Sequence, residues 1–377
     1  MTFRQIFARL AITGATLLPG VAAADIVIAQ VAPFSGPLAP TGNNMKAGAQ
    51  LCFDAVNAAG GINGEKIRLI TTDDGYKTSE TVRLVQEMTR EHHPVAFFGI
   101  VGTGNVEGLI KGNILARAGI PLVAARTGAT SVNTPVHPWL FLTRASYAQE
   151  IRKTVEQFVP LGYRRVAVFY QNDPFGLDGL QGLENALQQS GGELVAKGSY
   201  EKNTVQVENA VKTIAGASPQ LVVMVSNTAA SSEFVKQFRA TGNHAQLSTI
   251  SVTDGGQVIQ KIGVDTARGL AISQVVPDPA NMSVLLIREI QDRLKKYPQG
   301  NVTLNHTLVE GYLGAKVLVE ALRLAGPKPT AKKLRDTLEG IGQFDAGGLN
   351  IGFSPNNHRG SAYTDITIIG RNGKLLR

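Results

Sequence analysis

Within this 377-residue chain, Gly99-Ile-Val-Gly102-Thr103-Gly104-Asn-Val-Glu-Gly108 comes nearest to a loop built for phosphate. It follows an apolar strand and precedes a helical pattern, where a dinucleotide fingerprint would sit. The spacing from Gly102 is G-x-G-x-x-x-G, however, and the strand is not the first of its unit. No acidic residue closes the next strand, Ile120 to Ala125, to hold a ribose. The segment reads instead as amides plus the Thr103 hydroxyl at a helix N-terminus, which favours an anionic group through the helix dipole. Nucleophile chemistry has even less to stand on. G-x-S-x-G is absent, and Cys52 lies in a helical apolar pattern that suits a buried thiol. A single cysteine also excludes an internal disulfide and a multi-cysteine metal site. Asp73-Asp74 runs into Gly75, so a turn and cap role outweighs an acid pair. His92-His93 closes a helix before Pro94, and the six histidines never take i, i+4 spacing. No enzyme, cofactor or metal reading emerges.

The elements that position these residues follow one after another. Composition is that of a globular protein, with 43% hydrophobic and 18% charged residues, which excludes collagen-like and disordered chains. The net charge of +8 is spread thinly, which gives nucleic-acid binding no basic block to use. Met1 to Ala24 reads as an export signal: Arg4 and Arg9, the apolar run Leu10 to Leu18, the Pro19-Gly20 break and Ala22-Ala23-Ala24. Cleavage is expected after Ala24. Beyond it, strands at Ile26 to Val31, Ile67 to Thr72, Val95 to Val101 and Ile120 to Ala125 alternate with helices at Asn44 to Ala58, Ser79 to Arg90 and Asn105 to Ala118. The alternation restarts after Thr143, with strands at Arg165 to Tyr170, Val195 to Ser199, Leu221 to Val225 and Thr249 to Val252. A third section holds strand Gly269 to Val276 and helices Met282 to Tyr297, Leu304 to Ala325 and Ala331 to Glu339. Two alternating runs, Leu349 to Phe353 and Tyr363 to Ile369, suggest a closing hairpin. Doubly buried strands alternating with helices predict an α/β fold with mostly parallel sheets. Two such units place a ligand in the crevice at the carboxyl ends of their strands.

Several segments carry a family resemblance. Pro33 to Leu38 (PFSGPL), Ala47 to Gly64 (AGAQLCFDAVNAAGGING), Asp73 to Tyr76 (DDGY), Gly128 to Ser131, Val168 to Gly176 (VFYQNDPFG) and Glu310 to Glu320 carry it. Together they resemble the branched-chain amino-acid (leucine/isoleucine/valine) type of periplasmic solute-binding protein. The resemblance runs from Asp25 to the C-terminus. It implies a two-lobed type I periplasmic-binding fold, with three hinge crossings and closure on a ligand. The crossings are expected near Thr143 to Ser146, Gln274 to Pro277 and Asp345 to Leu349. Lobe one is then 25–144 plus 277–346, and lobe two 145–276 plus 347–377. The resemblance further implies a periplasmic monomer that hands a small molecule to a membrane ABC permease and does no chemistry itself. A ligand-sensing module of the same fold, regulating a partner receptor, is the alternative.

The family's ligand contacts map onto this chain one by one. An aromatic residue after the first strand falls at Thr41, which offers a smaller wall. The carboxylate-binding loop matches Gly102 and Thr103; the next loop matches Gly128, Ala129 and Thr130, with Arg126 and Thr127 close enough to share the role. In the second lobe a tyrosine before glycine becomes Phe175 before Gly176, and a further tyrosine falls at Asn227 or Thr228. The acidic partner of the α-ammonium falls near Ser251, with Asp254 three residues on. If Asp254 does not reach the cleft, an amino-acid zwitterion is poorly served. Arg126 would then favour a carboxylate without an amine, such as an aromatic or short organic acid; its bland reading is a solvated strand-end cation. The family's disulfide is missing, because its positions fall near Gly75 and Val101.

Overall fold

The computed structural model describes residues 25–377, and the expected export signal lies outside the described residues. Strand β1 (Ile26–Ala32) is buried on both faces, which calls for cover on both sides and suits a central parallel strand. It pairs in parallel with β2 (Ile67–Asp73) and β3 (Ala96–Phe98). Helices α1 (Ala39–Ala58), α2 (Thr78–His92), α3 (Thr103–Lys111) and α4 (Ile114–Ala118) connect and flank them. Strands β4 (Leu122–Val123) and β5 (Leu140–Phe141) complete a five-stranded sheet of order β2-β1-β3-β4-β5.

The second unit repeats the plan. It runs α5 (Tyr147–Phe158), β6 (Arg165–Gln171), α6 (Pro174–Ser190), β7 (Glu193–Tyr200), α7 (Glu208–Gly216), β8 (Leu221–Val225), α8 (Thr228–Ala240), β9 (Gln246–Thr249), α9 (Gly255–Ile262), α10 (Val264–Ala267) and β10 (Ala271–Gln274). The chain then returns to the first unit through α11 (Leu285–Lys296), α12 (His306–Ala325) and α13 (Ala331–Glu339). The antiparallel pair β11 (Gly342–Asp345) and β12 (Asn350–Phe353) follows. It ends in β13 (Asp365–Ile369) and β14 (Leu375–Leu376), antiparallel strands at the edge of a seven-stranded sheet ordered β14-β13-β10-β9-β8-β6-β7.

Two expectations need correcting. Leu349 to Phe353 and Tyr363 to Ile369 do not form a hairpin with each other. Their apolar faces serve different cores: Ile351 and Phe353 pack with β1, α1 and α12, whereas Ile369 packs with β8, α8 and β10. For the same reason the third passage between units does not lie at Asp345 to Leu349. The chain stays with the first sheet through Arg359, which bridges Leu142, and joins the second sheet at Asp365. The other passages run from β5 to α5 and from β10 to α11.

The strands that lead to the crevice end sooner than their apolar runs. Gly99 (φ 61°) and Ala124 (φ 55°) take the left-handed backbone region and turn β3 and β4 out of the sheet. Val101 and Arg126 then meet in an isolated bridge at the sheet's carboxyl edge. The helix expected over Asn105 to Ala118 is broken at Gly112-Asn113, where Asn113 also adopts positive φ. The strand expected over Thr249 to Val252 ends at Thr249, and the Thr253 N–H turns back to Ile250. Helix α9 has no counterpart in the sequence reading, because the opening Gly255-Gly256 lowers helix propensity.

Candidate functional site

The carboxyl ends of both sheets face each other, and the residues between them enclose a cavity of about 20 Å³. Its walls come from both units: Leu38, Tyr76, Val101, Gly102, Thr103 and Arg126 on one side, Tyr147, Phe175, Asn227 and Val252 on the other. Five residues singled out from the sequence therefore meet at one point: Gly102, Thr103, Arg126, Phe175 and Asn227.

Each wall residue is placed by a local cause. Gly102 precedes α3 with φ 103°, and a Cβ there would come within 2.4 Å of the Tyr76 ring, so only glycine lets ring and loop approach. Thr103 is the first residue of α3, and its hydroxyl lies 2.8 Å from that of Thr127. Amides of the first helical turn have no intrahelical acceptors, so this end of the cavity carries the positive pole of α3. Asn227 caps α8, its Oδ1 accepting from the Ala229 and Ala230 amides at 3.0 and 3.1 Å. Asp173 caps α6 in the same way and so seats Phe175, whose ring meets that of Tyr147 edge-on at 5.1 Å. Tyr147 opens α5 behind a capping box made by Ser146 and Gln149.

Arg126 is not a solvated strand-end cation. Its side chain is 1% exposed, and its Nη2 donates to the Ser251 carbonyl (3.2 Å), the Thr307 hydroxyl (3.0 Å) and Glu310 Oε1 (3.3 Å). Its Nε is buried without a partner. Glu310 also accepts from Arg144 at 3.1 Å, and Arg144 donates to Glu150 at 2.9 Å. Glu150 is further held by the Ser251 amide (2.8 Å), the Ser251 hydroxyl (3.0 Å) and the Ser273 hydroxyl (2.6 Å). Arg126, Glu310, Arg144 and Glu150 thus form a buried row of alternating charge from α12 to α5. Burial works against the charge on Arg144, but Glu310 and Glu150 outweigh it and hold the guanidinium above its ordinary value.

Other residues named from the sequence sit behind or away from the cavity. Thr127 lies one hydrogen bond behind Thr103. Gly128 packs its backbone against Tyr147, whose N–H donates to the Gly128 carbonyl at 2.9 Å. The Ala129 carbonyl accepts from Arg359 (2.8 Å), and the Thr130 amide donates to Asp178 (2.7 Å), so this loop faces away from the cavity. Thr41 belongs to the first turn of α1 rather than to a loop, buried but not on the wall. Thr228 accepts from the Asp254 amide, and Ser251 is taken up by Glu150 and Arg144. Asp254 caps α9 through the Gln257 amide (2.8 Å) and lines a separate open groove of about 980 Å³ beside Asn43 and Asn305.

Sequence reasoning missed two aromatic walls. Tyr76 stands at φ 60° at the end of the Asp-Asp-Gly-Tyr turn, where Asp74 accepts its N–H at 2.9 Å. Its hydroxyl accepts from Gln171 at 3.3 Å, and the Lys202 ammonium lies 4.0 Å from its ring centre. Burial raises the phenol of Tyr76, and likewise that of Tyr147, so both hydroxyls keep their protons near neutral pH. The available signals were the D-D-G turn for Tyr76 and the Ser146-x-x-Gln149 box for Tyr147. Asp73 and Asp74 themselves make turn bonds, Asp73 to the Phe34 and Gly75 amides and Asp74 to Thr81 and the Tyr76 amide.

Known proteins share this fold. A substrate-binding periplasmic protein from Ralstonia solanacearum is 39% identical, with a TM-score of 0.90 over 93% of this chain and 99% of that one. The Leu/Ile/Val-binding protein homolog 7 of Brucella suis is 26% identical over 331 residues, 83% of this chain and 81% of the relative. A branched-chain amino acid ABC transporter protein from Thermus thermophilus, solved with bound valine, is 18% identical with a TM-score of 0.83, over 94% of this chain and 96% of that one. At that identity the likeness speaks for the fold alone. The family model described as Periplasmic binding protein matches residues 25–374. The chain belongs to the periplasmic binding protein family.

Proposed function

We propose that this protein is the solute-binding component of an ABC importer and captures a small solute through its carboxylate. The solute would sit between the two lobes and be handed to a membrane permease, with no bond made or broken. The observation that carries the reading is the convergence of three anion-seeking features on one cavity. These are the α3 N-terminus, the Thr103 hydroxyl and the buried guanidinium of Arg126. Its walls come from both lobes, which supports a site that closes by hinge motion. At about 20 Å³ the closed cavity has room for roughly one water, so a solute enters only when the lobes part. The relatives named as binding proteins support the transport role, as does the export signal expected over residues 1–24. That expected signal also supports a periplasmic location for the mature chain.

A thermal-shift screen over amino acids, aromatic acids and short organic acids tests the reading. A true solute at 100 times its Kd adds about 2.7 kcal/mol of stability. Thr103→Ala should weaken that solute about tenfold, since a charge-assisted hydrogen bond contributes roughly 1.5–3 kcal/mol. The variant should lose only about 1 kcal/mol of stability without solute, since the buried bond to Thr127 goes but the Ala129 amide still donates to the Thr127 hydroxyl. Equal affinity in wild type and Thr103→Ala would remove the carboxylate assignment.

A further inference from the structure

We infer that the solute of this cavity is a carboxylate with an apolar body and no α-ammonium group. The inference rests on the carboxylate reading above and concerns the other end of the same ligand. Among the described residues no aspartate or glutamate lines the cavity. An ammonium brings three donors and a full charge, and burying it without an acceptor of opposite charge is heavily penalised.

The carboxylates near the walls are already committed. Asp74 accepts from Thr81, Asn105 and the Tyr76 amide, and Asp173 from Gln171 and the Phe175 and Gly176 amides. Glu150 and Glu310 are paired with Arg144 and Arg126, and Asp254 caps α9 outside the cavity. Asp178 alone among them keeps a buried oxygen, Oδ1, without a partner; its other oxygen holds the amides of Thr130 and Ser131, and it is not on the wall.

Two of the neutral acceptors on the wall are committed too. Asn227 Oδ1 serves the first turn of α8, and the Gly102 carbonyl takes the Val106 amide. The Tyr76 ring already carries Lys202, and the Tyr147 ring lies 5.5 Å from the Arg144 guanidinium. What remains for a ligand is one electropositive end and an apolar remainder. The end is Arg126 Nε with the opening amides of α3. The remainder is Leu38, Val101, Tyr147, Phe175 and Val252. A second cation there would face Arg126 and a helix N-terminus with nothing to offset it.

Calorimetry on the full mature chain tests this with matched pairs: 4-methylpentanoate against L-leucine, and 3-phenylpropanoate against L-phenylalanine. In at least one pair the plain acid should bind and its amino acid should bind 100-fold more weakly or not at all. The ratio should hold in Asp178→Asn. An amino acid binding as tightly as its deaminated partner would overturn the inference while leaving the carboxylate reading intact. Selective loss of amino-acid binding in Asp178→Asn would overturn it as well, by naming the acceptor. Failure of all four compounds at millimolar concentration would overturn it too. If the solute found by the screen then proved insensitive to Thr103→Ala, the carboxylate reading would fall with it.

Discussion

Arg144→Ala should lower the free energy of unfolding by about 3–5 kcal/mol, the usual consequence of removing one member of a buried ion pair. The guanidinium is 2% exposed and spans Glu150 on α5 and Glu310 on α12, which are 0% and 6% exposed. Without it two carboxylates stay buried with a deficit of positive charge, and hydroxyl partners alone cannot offset that. Arg144→Lys keeps a charge but loses the fork that reaches both carboxylates, so it should recover only part of the loss. Denaturant unfolding at neutral pH measures both variants. A loss under about 1 kcal/mol for Arg144→Ala would mean that the row of charges is not a structural element.

An effect of similar size is expected where α1 crosses α12. A Cβ on Gly48 would fall 2.1 Å from the Leu308 carbonyl oxygen, and one on Gly311 would fall 2.3 Å from that of Met45. These neighbours are backbone atoms and cannot rotate aside, so the helices would have to separate. Gly48→Val and Gly311→Val should each cost about 3 kcal/mol or more, at the upper end of overpacking effects. Gly216 is the matched control. It closes α7, and a Cβ added there would meet nothing within 4 Å, so Gly216→Ala should be neutral or stabilising by about 0.5–1 kcal/mol. Melting curves that rank Gly216→Ala alongside the other two would contradict the packing argument.

Much of the positioning was legible from local signals. A strand followed by a glycine-rich helix start points to Thr103 at a helix N-terminus, and there it stands on the cavity wall. Asn227 and Phe175 were named through the family resemblance and not through a local signal, and both stand on the cavity wall. The row of charges was illegible, because Arg126, Arg144 with Glu150, Ser251 and Glu310 come from four separate segments and no short motif joins them. Asp254 misled for a physical reason. An acidic residue before Gly-Gly looks free in sequence, yet it is used as a helix cap. The closing hairpin failed because alternation reports that one face is buried and not which core buries it.

The third passage through Arg359 has a consequence for synthesis order. α1 is covered by α12, which begins only at His306, and β10 acquires its second neighbour only with β13, which begins at Asp365. Neither half can therefore finish folding on a ribosome that still holds the C-terminus. Contacts of such long sequence separation form slowly, because loop closure must come before any packing gain. The packing of both halves is thus completed only by residues that follow His306, the last part of the chain to be made.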